Sequence, residues 1–443
     1  MQRTFIKDLK GKIGETVLIK GWVDSRRDHG KLIFLDIRDG WEKVQAVVPP
    51  GEMTETAHGL RDEWTVAITA LVKQRPEKMV NVKEANGTLE LEVQSLEVIT
   101  KAHELPFVKD TELNLDTYLD YLPLTLRTKR GRDITRVQAT IIEAYRASLR
   151  NQGFTEFQSP VLVGGDAEGG AAAFSVNYYY DQKAYLATSP QFYKQIMVGA
   201  VERAFTTTKV FRGEKHATPR HLSEVTQLDF EMGFVQSHLE PMAVLEQTIK
   251  DTVRTVVERH GKVLKEFSVE APLLPDKFPI FTLTQAQEII EREFGGKAVG
   301  ELDMEPEHER QICEWAKKEH NTDFVFITAF PTAKRAFYTY EEPSEAPFSR
   351  GFDLLFRGLE INSGAQRIHD YDSLVAKIQS RGMNPELFAY YLQAFKYGMP
   401  PHGGSSTGLE RFTALMLGLH NIRETTHFPR DLNRIDFLLS KNA

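Results

Sequence analysis

The sequence predicts an α+β protein in two parts: a small N-terminal β-barrel, then a larger domain in which helices flank a sheet. Three observations point there. Residues 1–105 hold five strand-like segments and little else. Residues 106–133 are charged and punctuated by proline. Beyond them helix and strand patterns are interspersed, without the regular alternation of a doubly wound parallel sheet.

In the first part, VLIKGWVDS, KLIFLDIRDG, VQAVVPPG, WTVAITALV and TLELEVQSLEVITKA are rich in Val, Ile, Leu and Thr, often alternating, with Gly, Pro or Asn between them. Five strands in about 100 residues suit a closed barrel of the OB type over residues 1–105, although strand pattern alone would serve any small β-domain. Residues 106–133 read as a hinge or linker. In the third part, residues 134–443, Val137, Ile141, Tyr145 and Leu149 recur at helical spacing and Gly153 stops them. FTEFQSPVLV reads as the next strand, followed later by KAYLAT, TTKVFR, TQLDFEMGF, FVFITAF and GFDLLFRGLEI.

Composition narrows the function classes. The 443 residues are 41% hydrophobic and 26% charged, as in ordinary globular proteins. A formal net charge of -7 excludes a uniformly basic nucleic-acid coat, so any such contact must be a local patch. One cysteine, Cys313, excludes an internal disulfide and a cysteine metal cluster. The N-terminus lacks a signal-peptide core, and no segment approaches the ~18 apolar residues of a membrane helix. The expectation is a cytoplasmic protein without a membrane partner.

The stretch most specific for chemistry is FRGEKHATPRHLSEVTQLDFEMGF, from Phe211. Arg212 and Glu214 are two apart, so on a strand they would share one face. An Arg fork suits a phosphate, and a neighbouring Glu accepts from an amine. Lys215, His216, Arg220 and His221 lie in a polar loop able to close over a polyphosphate. An isolated R-x-E is most often a solvated hairpin with surface ion pairs. This one is accompanied: the segment resembles motif 2 of the class II aminoacyl-tRNA synthetases, and the other two motifs of that family follow the right order. The helix ending near Gly153, with the strand ending at Pro160, resembles the dimer-forming motif 1. GMPPHGGSSTGLERF resembles motif 3, a glycine-rich strand-to-helix turn whose Arg binds ATP. The resemblance spans nearly the whole chain and implies an OB-type anticodon-binding barrel, an antiparallel six- or seven-stranded catalytic sheet flanked by helices, and a homodimer. It also implies ATP contacts from Arg212, Glu214, Arg220, His221, Leu222, Glu360, Gly408, Leu409, Glu410 and Arg411. Ser406-Thr407-Gly408 departs from the usual G-x-G, putting a Cβ where backbone can pack closely.

YLATSPQFYKQ discriminates among amino acids. Ser189 suits a helix N-cap and Pro190 the first helical position. Gln191 and Lys194 then share a helix face. A buried Lys requires a counter-charge, which a substrate carboxylate supplies; the plainer reading is a surface helix with a snorkelling lysine. In EINSGAQRIHD, Arg367 can fork the same carboxylate. Both segments resemble aspartyl enzymes, in which this Lys and Arg hold the side-chain carboxylate. Ser189, Gln191, Asp229 (for the ammonium group), Ser363 and Glu168, on a closing loop GGDAEGGAAAF, complete the implied aspartate site. Glu360 and Ser363 match the family's Mg²⁺ pair, and hard oxygen ligands suit that ion.

Residues 1–48 contain ten Lys or Arg against seven Asp or Glu, a local +3. Phe34 is a candidate stacking platform for an unpaired base, with a core aromatic as the alternative. By resemblance Phe34 stacks in the anticodon, Gln45 and Glu90 read its bases, and His29 matches a histidine of non-discriminating relatives. The implied reaction is ATP-dependent attachment of aspartate to tRNA-Asp, and to tRNA-Asn if the barrel is non-discriminating, in which case an amidotransferase would act downstream. Two alternatives stay open: an asparaginyl-tRNA synthetase, against which Lys194 argues, and a non-catalytic RNA-binding paralogue, against which intact Arg212, Glu360 and Arg411 argue.

Overall fold

The computed structural model describes residues 1–30, 32–109, 111–165, 172–215 and 218–441. The chain divides into two compact units, Met1–Thr111 and Glu112–Ala443.

The first unit is a closed barrel of five strands, β1 (Thr16–Asp28), β2 (Ile33–Arg38), β3 (Lys43–Val48), β4 (Thr65–Gln74) and β5 (Leu89–Thr100), in the order β1-β2-β3-β5-β4. All five strands of the sequence reading are present. The β3–β5 pair is parallel and the other neighbours are antiparallel. Alternation turns Ile33, Leu35 and Ile37 of β2 inward, and Val44, Ala46, Leu89 and Leu91 with them. The intervening residues face out. Phe34, Gln45 and Glu90 therefore lie on the outer face of three neighbouring strands, and the Ala46–Leu91 register sets Gln45 beside Glu90.

The second unit begins within the stretch read as a linker. Leu115–Asp120 and Leu122–Thr125 are short helices, packed together through Tyr118, Leu119 and Leu122. The long helix α1 (Lys129–Asn151) starts there too, its first turn capped by Thr128, which accepts from the Gly131 N–H. Charge and proline suggested a linker, but an Asn114 cap, the Thr128 cap and this apolar cluster supply enough local structure for helices. Val137, Ile141, Tyr145 and Leu149 are all buried on one face of α1. Gly153, at φ +82°, lets the chain turn back.

The remaining strands are β6 (Thr155–Glu156), β7 (Leu162–Val163), β8 (Ser175–Asn177), β9 (Lys183–Leu186), β10 (Arg203–Phe211), β11 (Glu224–Gly233), β12 (Ile280–Thr282), β13 (Phe324–Thr328), β14 (Gly351–Phe356), β15 (Leu359–Gln366) and β16 (His402–Gly408). Eight of them form one sheet, β12-β13-β14-β15-β16-β11-β10-β6, and β7-β9-β8 form a small one. The main sheet is thus larger than the six or seven strands expected. It is antiparallel inside and parallel at its two edges, β12–β13 and β10–β6, each made by a strand of two or three residues. FTEFQSPVLV, read as one strand, supplies β6 to this sheet and β7 to the small one. GFDLLFRGLEI is not one strand but the hairpin β14–β15, reversed at Arg357 (φ +48°) and Gly358 (φ +85°).

One face of the sheet packs against α1 and the long helix Leu239–Glu266 through Phe230, Leu228, Phe352 and Leu354 among others. The opposite face carries polar residues in rows. Asp353, Ser363, Ser406 and Asp229 are successive cross-strand partners on β14, β15, β16 and β11. The next row on that face, Glu231, Gly404, Ala365 and Gly351, holds two glycines and an alanine. The sheet therefore offers a polar floor beside a lane of small residues that leaves room for larger side chains from elsewhere.

On the packed face, Gly364 is a close approach. A Cβ there would meet the Phe352 ring at 2.3 Å and Ser405 Cβ at 2.6 Å, both residues fully buried. Gly364→Ala should destabilise by about 1–3 kcal/mol through overpacking, visible as a lower urea midpoint; an unchanged midpoint would mean that the β14–β16 contact is looser than described.

Candidate active site

Above the polar floor lies an open cavity of about 380 Å³. Its lining gathers residues from distant parts of the chain: Gln191 and Lys194 from one helix and Ser189 just before it, Arg212, Arg220, His221 and Leu222 from the β10–β11 connection, Glu360, Ser363 and Arg367 along and just after β15, and Gly408, Glu410 and Arg411 at the end of β16 and the turn that follows.

The floor is a buried cluster of charge. Lys194 sits on the helix Gln191–Val201, which begins one residue later than expected, with Ser189 Oγ accepting from the Gln191 N–H at 3.2 Å. Its ammonium donates to Asp229 Oδ2 at 2.9 Å and lies 3.4 Å from Glu231 Oε2. Arg367 donates through Nε to Glu231 Oε1 at 2.8 Å and through Nη2 to the Gly404 carbonyl at 3.0 Å. All four side chains are at most 5% exposed. Burial alone would raise the Glu231 carboxyl, but Arg367 and Lys194 outweigh it and hold the pKa below the ordinary value. The expectation that Lys194 and Arg367 wait for a substrate carboxylate is corrected here: both already have protein counter-charges, because two unpaired buried cations would cost too much.

Glu231 was missed from sequence. The signal was present: in TQLDFEMG, Gln227, Asp229 and Glu231 alternate with Leu228, Phe230 and Met232, the apolar set lying in the core. Ser406 also finds its place. Its strand is regular, and its Oγ donates to Asp229 Oδ1 at 2.6 Å, so the departure from G-x-G adds a hydrogen bond to the floor.

The outer part of the cavity is cationic. β10 ends at Phe211, so Arg212 and Glu214 do not share a strand face as expected; Gly213 N–H bonds to the Ala172 carbonyl and draws the chain off the sheet. Arg212 lines the main cavity, while Glu214 lines a smaller neighbouring one with Arg212, His221 and Leu222. Arg220, His221 and Leu222 line the main cavity, with Thr218 Oγ1 2.6 Å from His221 Nδ1. Among the described residues, neither Arg212 nor Arg220 has a carboxylate within ion-pair distance. Arg411 donates to the Glu360 carbonyl at 3.1 Å. Glu410 is buried and accepts the Thr226 N–H at 3.0 Å, bracing β11. Leu409 packs in the core, not on the cavity. Lys334 and Arg335 line the cavity unforeseen. Arg335 forks Asp353 at 3.0 and 2.7 Å, donates to Ser363 Oγ at 3.2 Å and stacks 3.7 Å over Phe330.

Glu360 is 35% exposed at the cavity wall. Burial, then Asp353, with Glu309 adding, push its carboxyl up to about 7 against the pull of Arg411. Glu360 and the Ser363 hydroxyl line the cavity and offer two hard oxygens, which suit an ion completed by phosphate and water. Asp353 is forked by Arg335 and Glu309 accepts the Glu360 N–H, and among the described residues no group of three acidic, His or Cys side chains is placed to hold a metal ion. Glu168 and His216 lie outside the described residues.

In the first unit, Phe34 is half-buried and outside the barrel core, meeting exposed His29 edge-on at 5.3 Å. Arg27 donates to Asp36 at 3.2 Å and to Gln45 Oε1 at 3.1 Å. Among the described residues no helix is long and apolar enough to cross a membrane.

With this geometry in place, comparison with known proteins is decisive at the level of family. The family described as tRNA synthetases class II (D, K and N) matches residues 114–432, and the OB-fold nucleic acid binding domain matches residues 17–99. The fold is that of a class II aminoacyl-tRNA synthetase. The aspartate–tRNA(Asp/Asn) ligase of Thermus thermophilus is 39% identical over 98% of this chain and 99% of its own. The aspartate–tRNA(Asp) ligase of Pyrococcus abyssi is 35% identical over 95% and 96%. The asparaginyl-tRNA synthetase of Pyrococcus horikoshii, solved with asparaginyl-adenylate, superposes with TM-score 0.89 at 31% identity, covering 98% of this chain and 99% of that one. The chain belongs to the aspartyl/asparaginyl type of the class II aminoacyl-tRNA synthetases.

Proposed function

We propose that the protein is an aspartate–tRNA ligase, which activates L-aspartate with ATP and transfers it to the 3′ end of tRNA. The observation that carries this is the cavity floor, where Lys194 and Arg367 lie next to Asp229 and Glu231. Aspartate presents charges of both signs: its ammonium matches Asp229, and its side-chain carboxylate matches Lys194 and Arg367. Asparagine offers a neutral amide to the same cations and gains less. That contrast favours the aspartyl over the asparaginyl reading.

An α-carboxylate is already nucleophilic, so no general base is required. Its oxygen attacks the α-phosphorus of ATP, the bond to the β-phosphate breaks, and pyrophosphate leaves. Arg212, Arg220 and Arg411, with Lys334, place positive charge along the phosphates, while the floor holds the amino acid in line. A terminal ribose hydroxyl of tRNA then attacks the aspartyl carbonyl, and AMP leaves. Mg²⁺, held by Glu360 and Ser363, would neutralise phosphate oxygens when bound. The outer face carrying Phe34, Gln45 and Glu90 takes the anticodon, and the enzyme works in the cytoplasm as a homodimer through the element resembling motif 1.

Two outcomes test the reading. ATP–pyrophosphate exchange should depend on aspartate and not on asparagine, and Lys194→Leu should lose about 2–5 kcal/mol of aspartate recognition, roughly 30- to 3,000-fold. Because Lys194 also pairs with Asp229 and Glu231, the variant will be less stable, so the assay is run where circular dichroism reports a folded protein. Exchange driven equally by asparagine would favour the asparaginyl reading.

Second, we propose that the enzyme charges tRNA-Asn as well as tRNA-Asp, as the name of the Thermus relative says of that protein. His29 beside Phe34 is the candidate determinant, and a downstream amidotransferase would convert the product. Purified tRNA-Asn should accept aspartate, less so with His29→Gln. Negligible charging at enzyme levels that saturate tRNA-Asp would overturn this.

A further inference from the structure

Behind the floor runs a chain of buried polar groups that the reaction scheme does not use. Pro400 carbonyl lies 2.9 Å from His402 Nδ1. His402 Nε2 lies 2.7 Å from Gln195 Nε2. Gln195 Oε1 accepts from Gln191 Nε2 at 2.9 Å and from the Tyr391 hydroxyl at 3.1 Å. His402 and Gln195 are fully buried, and Gln191 and Tyr391 nearly so.

Donor and acceptor roles along this chain are forced from its far end. A proline carbonyl can only accept, so His402 Nδ1 carries the hydrogen. In a neutral imidazole Nε2 is then a lone pair, which requires an N–H from Gln195. Burial, aided by Arg367 and His369, pushes the His402 pKa down to about 4 against Glu231 and the Pro400 bond, so the neutral form holds near pH 7. With its amide nitrogen committed to His402, Gln195 has only its oxygen for Gln191. Gln191 must answer with its NH₂, which leaves its own Oε1 as the atom not spent inside, on a residue that lines the cavity.

We infer that His402 is a positioning residue: acting through Gln195, it sets the amide of Gln191 so that an acceptor oxygen, not an NH₂, meets the ammonium group of the amino-acid substrate. This deepens the proposed function and rests on the cavity taking an α-amino acid. A reversed Gln191 would set two donors against a cation. The ammonium is common to aspartate and asparagine, so the relay serves whichever of them is activated.

The test is the Michaelis constant for amino acid and for ATP in pyrophosphate exchange, from pH 6 to 9, on the full-length enzyme. His402→Phe frees Gln195 to turn and should raise the amino-acid KM about tenfold at every pH, with the ATP KM unchanged. Gln195→Glu is nearly isosteric, and its carboxylate can only accept, so Gln191 must still donate its NH₂ whether or not His402 is present. The other groups facing His402 are Glu231, Arg367, His369 and Tyr391. Glu231 and Arg367 keep their charge throughout this range, and Tyr391, its pKa raised well above the ordinary value, stays neutral. Adding Gln195→Glu to His402→Phe should therefore return the amino-acid KM toward the unmodified value. Failure of the added Gln195→Glu change to lower that KM would overturn the relay. So would parallel rises in both KM values with a fall in melting temperature, since that is what simple structural damage produces. Activation of asparagine in place of aspartate would count against the proposed substrate and leave the relay test unaltered.

Discussion

Two cations and two carboxylates buried together, Lys194, Arg367, Asp229 and Glu231, are the constraint on which the rest of the second unit depends. Taking such groups out of water costs several kcal/mol per ion, and the cost is offset only when each finds an opposite charge and its hydrogen bonds. The sheet register does this. Asp229 sits opposite Ser406, whose hydroxyl it accepts, and Glu231 sits opposite Gly404. A Cβ at 404 would lie 2.5 Å from Glu231 Oε2, so the lane in which Arg367 reaches Glu231 and the Gly404 carbonyl exists because that residue is glycine. The glycines of this segment serve packing against charge as much as any approach of ligand.

The same constraint divides the cavity into two electrostatic regions. The floor is balanced, so it can discriminate between substrates by where charges fall and not by net attraction. The upper wall is not balanced: Arg212 and Arg220 have no carboxylate at hand among the described residues, which suits a region that receives a polyphosphate. Glu360, its carboxyl pushed up by burial and by Asp353, is the acidic exception within that wall.

Much of this was legible from sequence, unevenly. The barrel was, because alternation over five strands shows both which residues fill it and which face out; Phe34, Gln45 and Glu90 fall on the outer phase of three adjacent strands. The face of α1 was, since Val137, Ile141, Tyr145 and Leu149 keep one period. Edge strands of two or three residues carry no period to detect, and the Arg357–Gly358 reversal sits inside a run that otherwise reads as continuous. Among the site residues, Glu231, Gln195 and His402 lie inside the segments that carry the resemblance but were not singled out: Glu231 was hidden in plain alternation, and the Gln195–His402 contact joins residues so distant in the chain that only folding reveals it. Arg335 lies outside those segments, and its fork on Asp353 leaves no pattern in the sequence.

The central claim is that the four floor charges form one balanced unit before any substrate arrives. A double-mutant cycle in urea on Glu231→Gln and Arg367→Met tests it directly. Each single change strands an opposite charge and should cost about 3–5 kcal/mol. The double change leaves Lys194 with Asp229 and should cost less than the sum, by about 1–3 kcal/mol. Losses that add to within about 0.5 kcal/mol would show that the charges are independent and would contradict the account.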